Sequence, residues 1–268
     1  MTTHVPAMFT AEKLTFSFPG KQVLDAVSFT LRAGTITCLL GGNGAGKTTL
    51  FNLITGFLRP DAGAISFGDT KLAGCPPYRI SRLGVARTFQ DLRLIGKLSV
   101  RDNLLLALPQ HPSEQLGRAL LPAHFHQKRD AEDLCKADTL LEEFYLAQVA
   151  DQAASEISYG QQKLLTLACC AAMDARLLLL DEPVAGISPE LRERIAERLD
   201  RFKAAGKTIL LIEHQADFLE HTGDVFLYLQ TGKLHGFDTL DQLRASPAAH
   251  DASSDTASSG YALQHPHS

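Results

Sequence analysis

The chain lacks a long apolar run, a surplus of basic residues and paired cysteines, and each absence closes off a class of function. No hydrophobic stretch approaches the roughly 18–20 residues that cross a bilayer, and the longest candidate, LLTLACCAAM, is cut by Asp174 and Arg176. Any membrane association is therefore expected to come through a partner. The opening residues MTTHVPAMFTAEKL show no basic segment followed by an apolar core, so no secretory leader is expected and the chain should remain in the cytoplasm. A net charge of −4 offers no electrostatic grip on nucleic acid, whose binders show a basic surplus or stripe. No nucleic-acid partner is expected. The five cysteines (Cys38, Cys75, Cys135, Cys169, Cys170) are odd in number and form no CxxC pair, which argues against a disulfide framework and a zinc site. They read as small buried hydrophobes. His111, His124 and His126 lie in the proline-containing stretch PQHPSEQLGRALLPAHFHQKRD without a matching carboxylate or cysteine pattern, and read as solvated loop histidines.

What is present describes an ordinary globular chain: 268 residues, 45% hydrophobic and 21% charged, long enough to bury a full core. Residues 9–37 read as short strands joined by turns: FTAEKLTFSF, the turn PGKQ, VLDAVSFTL, the turn RAG, then TITCLL. Helical apolar spacing follows at 47–57 (Leu50, Phe51, Leu53, Ile54, Phe57) until RPDAG breaks it. From about 91 to 172 the pattern is mainly helical, with a Ser99/Asp102 capping box, the amphipathic KADTLLEEFYL, and a Ser158/Gln161 capping box opening the helix that runs through LLTLACCAAM. The apolar run LLLLDE at 177–182 and TILLIE at 208–213 read as buried strands, and VFLYL at 225–229 as another. A helix between the first two starts at Ser188 and Pro189, shows Leu191, Ile195, Leu199 and Phe202 on one face, and ends at Gly206. Alternating buried strands and helices predict a parallel sheet. From Ala245 onward the chain is small, polar and aperiodic, the composition of a disordered tail.

Two motifs carry chemistry. Gly41 to Thr48 spell GGNGAGKT, placed between an apolar strand and a helix. Backbone N–H groups and a helix N-terminus present positive potential to phosphates there, Lys47 reaches the β and γ phosphates, and Thr48 ligates Mg²⁺. The second motif is Asp181 at the end of a buried strand, positioned to hold Mg²⁺ through water, followed by Glu182 to orient or deprotonate an attacking water. Together they predict a nucleoside triphosphate hydrolase.

With this loop, the LLLLDE strand and ISYGQ shortly before it, the chain resembles the nucleotide-binding domain of ABC (ATP-binding cassette) transporters over roughly residues 9–240. The resemblance implies an α/β fold: an ABC-type P-loop NTPase with a RecA-like parallel-sheet core, an N-terminal antiparallel β subdomain and a helical subdomain at about 91–172. It places a single nucleotide-binding domain at 1–245 and a tail at 246–268. It implies ATP and Mg²⁺ as cofactors. Gly41, Gly42, Asn43, Gly44, Ala45, Gly46, Lys47, Thr48 and Thr49 would hold the phosphates, Phe18 would stack on adenine, and Asp181 would complete the site. Glu182 would be catalytic with His214 as the residue that senses the γ phosphate. Gln90, in ARTFQ, would meet the metal with Thr48 and Asp181 and couple to the membrane subunit. Ser158, Gly160 and Gln161 would contact ATP bound to an opposite cassette, so that the helix cap also serves as a ligand.

The chain departs from the family at three places. Tyr159 replaces the first glycine of the usual LSGGQ, Ser188 stands where an aspartate is usual after the catalytic glutamate, and Gly42 stands where proline is common. The segments GVARTFQDLRLIGKLSVRDNLLLA and DEPVAGISPE, with the long insert before SYGQQ, are similar to ATPase subunits of importers for branched-chain amino acids and for urea or short amides. The implied partners are membrane subunits, a second cassette as homodimer or paralogue, and indirectly a solute-binding protein, at the cytoplasmic face of the inner or plasma membrane. An exporter ATPase shares every catalytic motif and stays open as the alternative. A soluble DNA-repair ATPase of the family would need a long coiled coil between the motifs, and a translation-factor member two cassettes.

Overall fold

The structure, a computed structural model, describes residues 7–88, 94–109 and 123–247, with residues 123–130 described by their backbone alone. In chain order the strands are β1 (Ala7–Phe18), β2 (Lys21–Arg32), β3 (Ile36–Leu40), β4 (Ala62–Phe67), β5 (Thr70–Lys71), β6 (Val85–Arg87), β7 (Leu177–Asp181), β8 (Thr208–Ile212), β9 (Val225–Gln230) and β10 (Lys233–Phe237). The helices are α1 (Lys47–Ile54), α2 (Pro77–Arg82), α3 (Val100–Ala107), α4 (Ala123–Glu143), α5 (Tyr159–Ala172), α6 (Pro189–Ala204), α7 (Ala216–Thr222) and α8 (Leu240–Arg244). The chain divides into two compact units, residues 1–80 with 202–268, and residues 81–201.

The first unit holds an antiparallel sheet in the order β2-β1-β4-β5. Along β1 the buried residues are Phe9 and Ala11, then Leu14 and Phe16, a spacing of three in the middle of a period-2 pattern. An irregularity in pairing between Ala11 and Leu14 absorbs the extra residue, with Lys13 at a φ of 47°. The bulge keeps all four side chains on one face. In the same unit β3 pairs in parallel with both β8 and β9, and β10 pairs antiparallel with β9. A strand flanked on both sides loses the polar alternation, which is why β3, between β8 and β9, is buried from Ile36 through Leu39.

The second unit joins the parallel pair β6 and β7 to the helices α3, α4 and α5, which pack on one another with Leu104, Leu141, Phe144 and Leu165 buried. Buried Asn103 ties the entry to α3: its carbonyl accepts from Ile95 N at 2.9 Å, and its amide donates to the Ser99 carbonyl at 2.9 Å. Ser99 caps α3 by accepting from Asp102 N. The sheet and helix pattern expected for an ABC-type P-loop NTPase is therefore present.

Several expectations need adjustment. The helix expected over 47–57 ends at Ile54, because the Thr55 hydroxyl donates to the Phe51 carbonyl at 2.6 Å and Gly56 turns to a φ of 76°. β4, β5, α2 and β6 occupy residues where the sequence pattern suggested no element. Of the cysteines, Cys38 and Cys170 are buried as expected, but Cys75 and Cys169 are only half-buried and Cys135, on α4, is exposed. His111 and the side chains of His124 and His126 lie outside the described residues, as do Gln90 and 248–268.

Candidate active site

In the first unit, β3 ends at Leu40 and the chain enters the loop 41–46 before α1. Gly41 has a φ of 151°, and a Cβ there would stand 2.4 Å from the Leu229 carbonyl oxygen. Gly46 has a φ of 107°, and its Cβ would meet Val23 Cγ1 at 2.8 Å. Both positions thus require glycine for conformation and for space. The buried Lys47 ammonium donates to the carbonyls of Gly41 at 2.6 Å and Gly42 at 3.0 Å, drawing the loop round its own side chain. Gly42, Asn43, Gly44 and Thr48 are exposed, and Thr49 half-buried. No side chain caps α1 and no acidic residue occupies its first turn, so the positive end of the helix faces outward without a resident negative group. That is an anion cradle, fit for phosphates.

His214 belongs to the same edge of the sheet. β8 runs parallel to β3 with Leu39 opposite Ile212, so Gly41 and exposed His214 both follow the carboxyl ends of neighbouring strands, where open α/β sheets bind ligands. The His214 backbone N–H donates to the Glu213 carboxylate at 2.9 Å. Phe18 ends β1 at 46% exposure, held edge-on against Phe16 with ring centroids 5.0 Å apart. An exposed ring braced at its edge keeps a face available for stacking.

The second unit carries the carboxylates. β7 is buried throughout, and Asp181 at its end is 5% exposed. The Asp181 N–H donates to the Thr88 hydroxyl at 2.9 Å, and Arg87 Nη2 lies 3.6 Å from its carboxylate. Neither Arg87 nor Thr88 was singled out from sequence as an Asp181 partner. The available signal was their place in ARTFQ, beside the Gln90 that the family resemblance singles out. Glu182 sits at a φ of 49°, and its carbonyl accepts from Lys163 Nζ at 2.8 Å and Ala185 N at 3.3 Å.

At the head of α5 the capping box is reciprocal: Ser158 Oγ accepts from Gln161 N at 3.3 Å, and Ser158 N donates to Gln161 Oε1 at 2.9 Å. A Cβ on Gly160 would stand 2.4 Å from Leu191 Cδ2, so this glycine admits the first turn of α6. Ser188 caps α6 by accepting from Leu191 N at 3.3 Å. Thr48 on α1 offers an exposed hydroxyl and Asp181 on β7 a buried carboxylate, each an oxygen group of the kind Mg²⁺ prefers.

A family model described as ABC transporter matches residues 24–185, more than half of the chain. The chain belongs to the ABC transporter family. It is 37% identical over 238 residues to the high-affinity branched-chain amino acid transport ATP-binding protein LivG of Escherichia coli (strain K12), spanning 87% of this chain and 92% of that protein. It is 32% identical over 235 residues to the corresponding protein BraF of Pseudomonas aeruginosa, with the same coverage. Among solved structures, a nucleotide-free ATP-binding cassette from an ABC transporter superposes with a TM-score of 0.79 at 28% identity, covering 92% of this chain and 99% of that one. The ADP conformation of an ATP-binding cassette superposes at 0.78, also at 28% identity, covering 93% and 98%. As a member of this ABC family the chain binds ATP and is an ATPase. Among its described residues no helix is long and apolar enough to cross a membrane.

Proposed function

We propose that the chain is the ATP-hydrolysing subunit of an ABC importer for branched-chain amino acids or related small solutes. The observation that carries this reading is the 37% identity to LivG across 87% of the chain, which spans both chemical motifs and the ISYGQ segment. No observation favours the exporter alternative.

In this reading the loop Gly41–Gly46, with Lys47, Thr48 and Thr49, holds the triphosphate through backbone N–H groups and the ammonium, and Phe18 stacks on the base. Glu182 accepts the proton of the attacking water, and His214 contacts the γ phosphate. Thr48 and Asp181, with Gln90, would hold Mg²⁺, which when bound supplies charge neutralisation for the leaving phosphates. Ser158, Gly160 and Gln161 complete the site of an opposite cassette. The domain spans 1–245 with a helical portion at about 91–172. Its partners are two membrane subunits, a second cassette and, through them, a solute-binding protein, at the cytoplasmic face of the inner or plasma membrane.

The test is capture of the Glu182→Gln variant from detergent-solubilised native membranes in the presence of ATP, with companions identified by mass spectrometry. Recovery of two polytopic subunits with a second cassette is the expected result. Recovery of soluble companions alone would overturn the transport reading and leave the ATPase chemistry standing.

A further inference from the structure

Lys163 lies in the second turn of α5 and is 6% exposed. A buried ammonium is costly unless its hydrogen-bonding capacity is met, and the ordinary solution is a carboxylate. Among the described residues Lys163 has none. Its Nζ donates instead to the Glu182 carbonyl at 2.8 Å and sits 5.6 Å from the centroid of the Tyr159 ring. The chain thus retains a buried cation for the sake of one backbone carbonyl.

That carbonyl belongs to an unusual residue. Glu182 occupies left-handed backbone at a φ of 49°, a conformation unfavourable for a residue with a side chain. Pro183 follows and narrows the choices of Glu182 further. The Ala185 N–H holds the same carbonyl at 3.3 Å, so the oxygen is gripped from the turn on one side and from α5 on the other. Fixing this peptide plane fixes the direction in which the Glu182 side chain leaves the backbone.

We propose that Lys163 is a positioning residue for hydrolysis, anchoring the Glu182 main chain so that its carboxylate is aimed before the water arrives. Tyr159 ties this anchor to the Ser158–Gln161 segment. Its ring faces the ammonium, favourably by the attraction of a cation to an aromatic face, and one ring edge lies 3.5 Å from where a Cβ on Gly186 would stand. The residue that departs from the family's glycine therefore sits between the head of α5 and the turn after Glu182. The inference rests on the reading of Glu182 as the base.

The experiment compares steady-state ATP hydrolysis and binding of a fluorescent ADP analogue for the full-length chain and its Lys163→Met, Lys163→Arg, Tyr159→Leu and Glu182→Gln variants. A misaimed base loses roughly ten- to a hundredfold in rate, so Lys163→Met is expected to lose that much kcat while KM and ADP affinity stay within about twofold. Lys163→Arg restores most of it. Tyr159→Leu changes an exposed ring that the fold does not need, and is expected to lower kcat by roughly two- to fivefold. Wild-type kcat in Lys163→Met overturns the proposal, as does a Lys163→Met loss shared by ADP affinity and not restored by arginine. If Lys163→Met does not fold, Tyr159→Leu decides by the same criteria. Glu182→Gln at the wild-type rate would remove the base assignment itself, whereas an inactive Glu182→Gln beside an unaffected Lys163→Met removes only the positioning role.

Discussion

β3 and β7 are both five-residue buried strands, and each is followed by a residue with positive φ, Gly41 after β3 and Glu182 after β7. At the first, in the proposed function, the backbone is the ligand: its N–H groups would hold the phosphates, a side chain would collide with Leu229, and glycine adopts the conformation at little cost. At the second, the proposed function makes the side chain the reagent, so glycine would not serve, and the Glu182 carbonyl is held by Lys163 and Ala185. A positive φ is thus reached once by omission of a side chain and once by restraint of one.

The largest expected effect breaks the second of these strand ends. Glu182→Gln keeps size and hydrogen bonding but removes the base, a loss of about 10²–10⁴ in kcat, measured by phosphate release, with nucleotide affinity retained. Next, Gly41→Ala puts a Cβ 2.4 Å from the Leu229 carbonyl oxygen. It is expected to destabilise by roughly 1–3 kcal/mol and to weaken nucleotide binding, read by thermal unfolding and by titration with a fluorescent nucleotide. A sharper comparison comes from two inactive variants. In left-handed backbone Glu182→Gly should be more stable than Glu182→Ala by about 1 kcal/mol, the reverse of their order in ordinary helix. Equal stability would mean that the strain at β7 is absent in solution.

The smallest effect separates buried from exposed thiols. Burial pushes Cys169 and Cys170 up to about 12 and Cys38 higher still, Cys38 also by the neighbouring carboxylates of Asp224 and Glu213. Native protein at pH 8 should therefore react rapidly with a thiol reagent at exposed Cys135 and slowly at those three. These thiols are kept neutral by the fold, so the unfolded chain loses their protons first. The associated stability is complete below the ordinary thiol value of about 9 and falls as pH rises above it, visible as a declining denaturation midpoint.

How legible this was in sequence follows the same division. The glycine loop could be read directly because its signal falls within eight consecutive residues, where Gly41 and Gly46 answer backbone requirements. The capping box at Ser158 and the start of α6 at Ser188 were equally local. Arg87 and Lys163 were not legible, because Arg87 meets Asp181 across a strand pair 94 positions apart in numbering and Lys163 meets Glu182 from 19 positions away, and neither distance leaves a periodic trace. Cys135 shows the limit of composition: cysteine is usually buried, but its position on α4 decided otherwise. The strands between 62 and 87 were missed because they are short and rich in glycine and small residues, giving weak alternation.

Phe18 offers a practical opening. The chain contains no tryptophan, so it is optically silent at the wavelengths where indole alone is excited. A Phe18→Trp replacement at the rim of β1 would be its sole indole, already braced on Phe16. On the proposed stacking role, its emission could then be followed in real time as nucleotide, product and empty site succeed one another, making a ring at the rim of the sheet into the clock of the cycle.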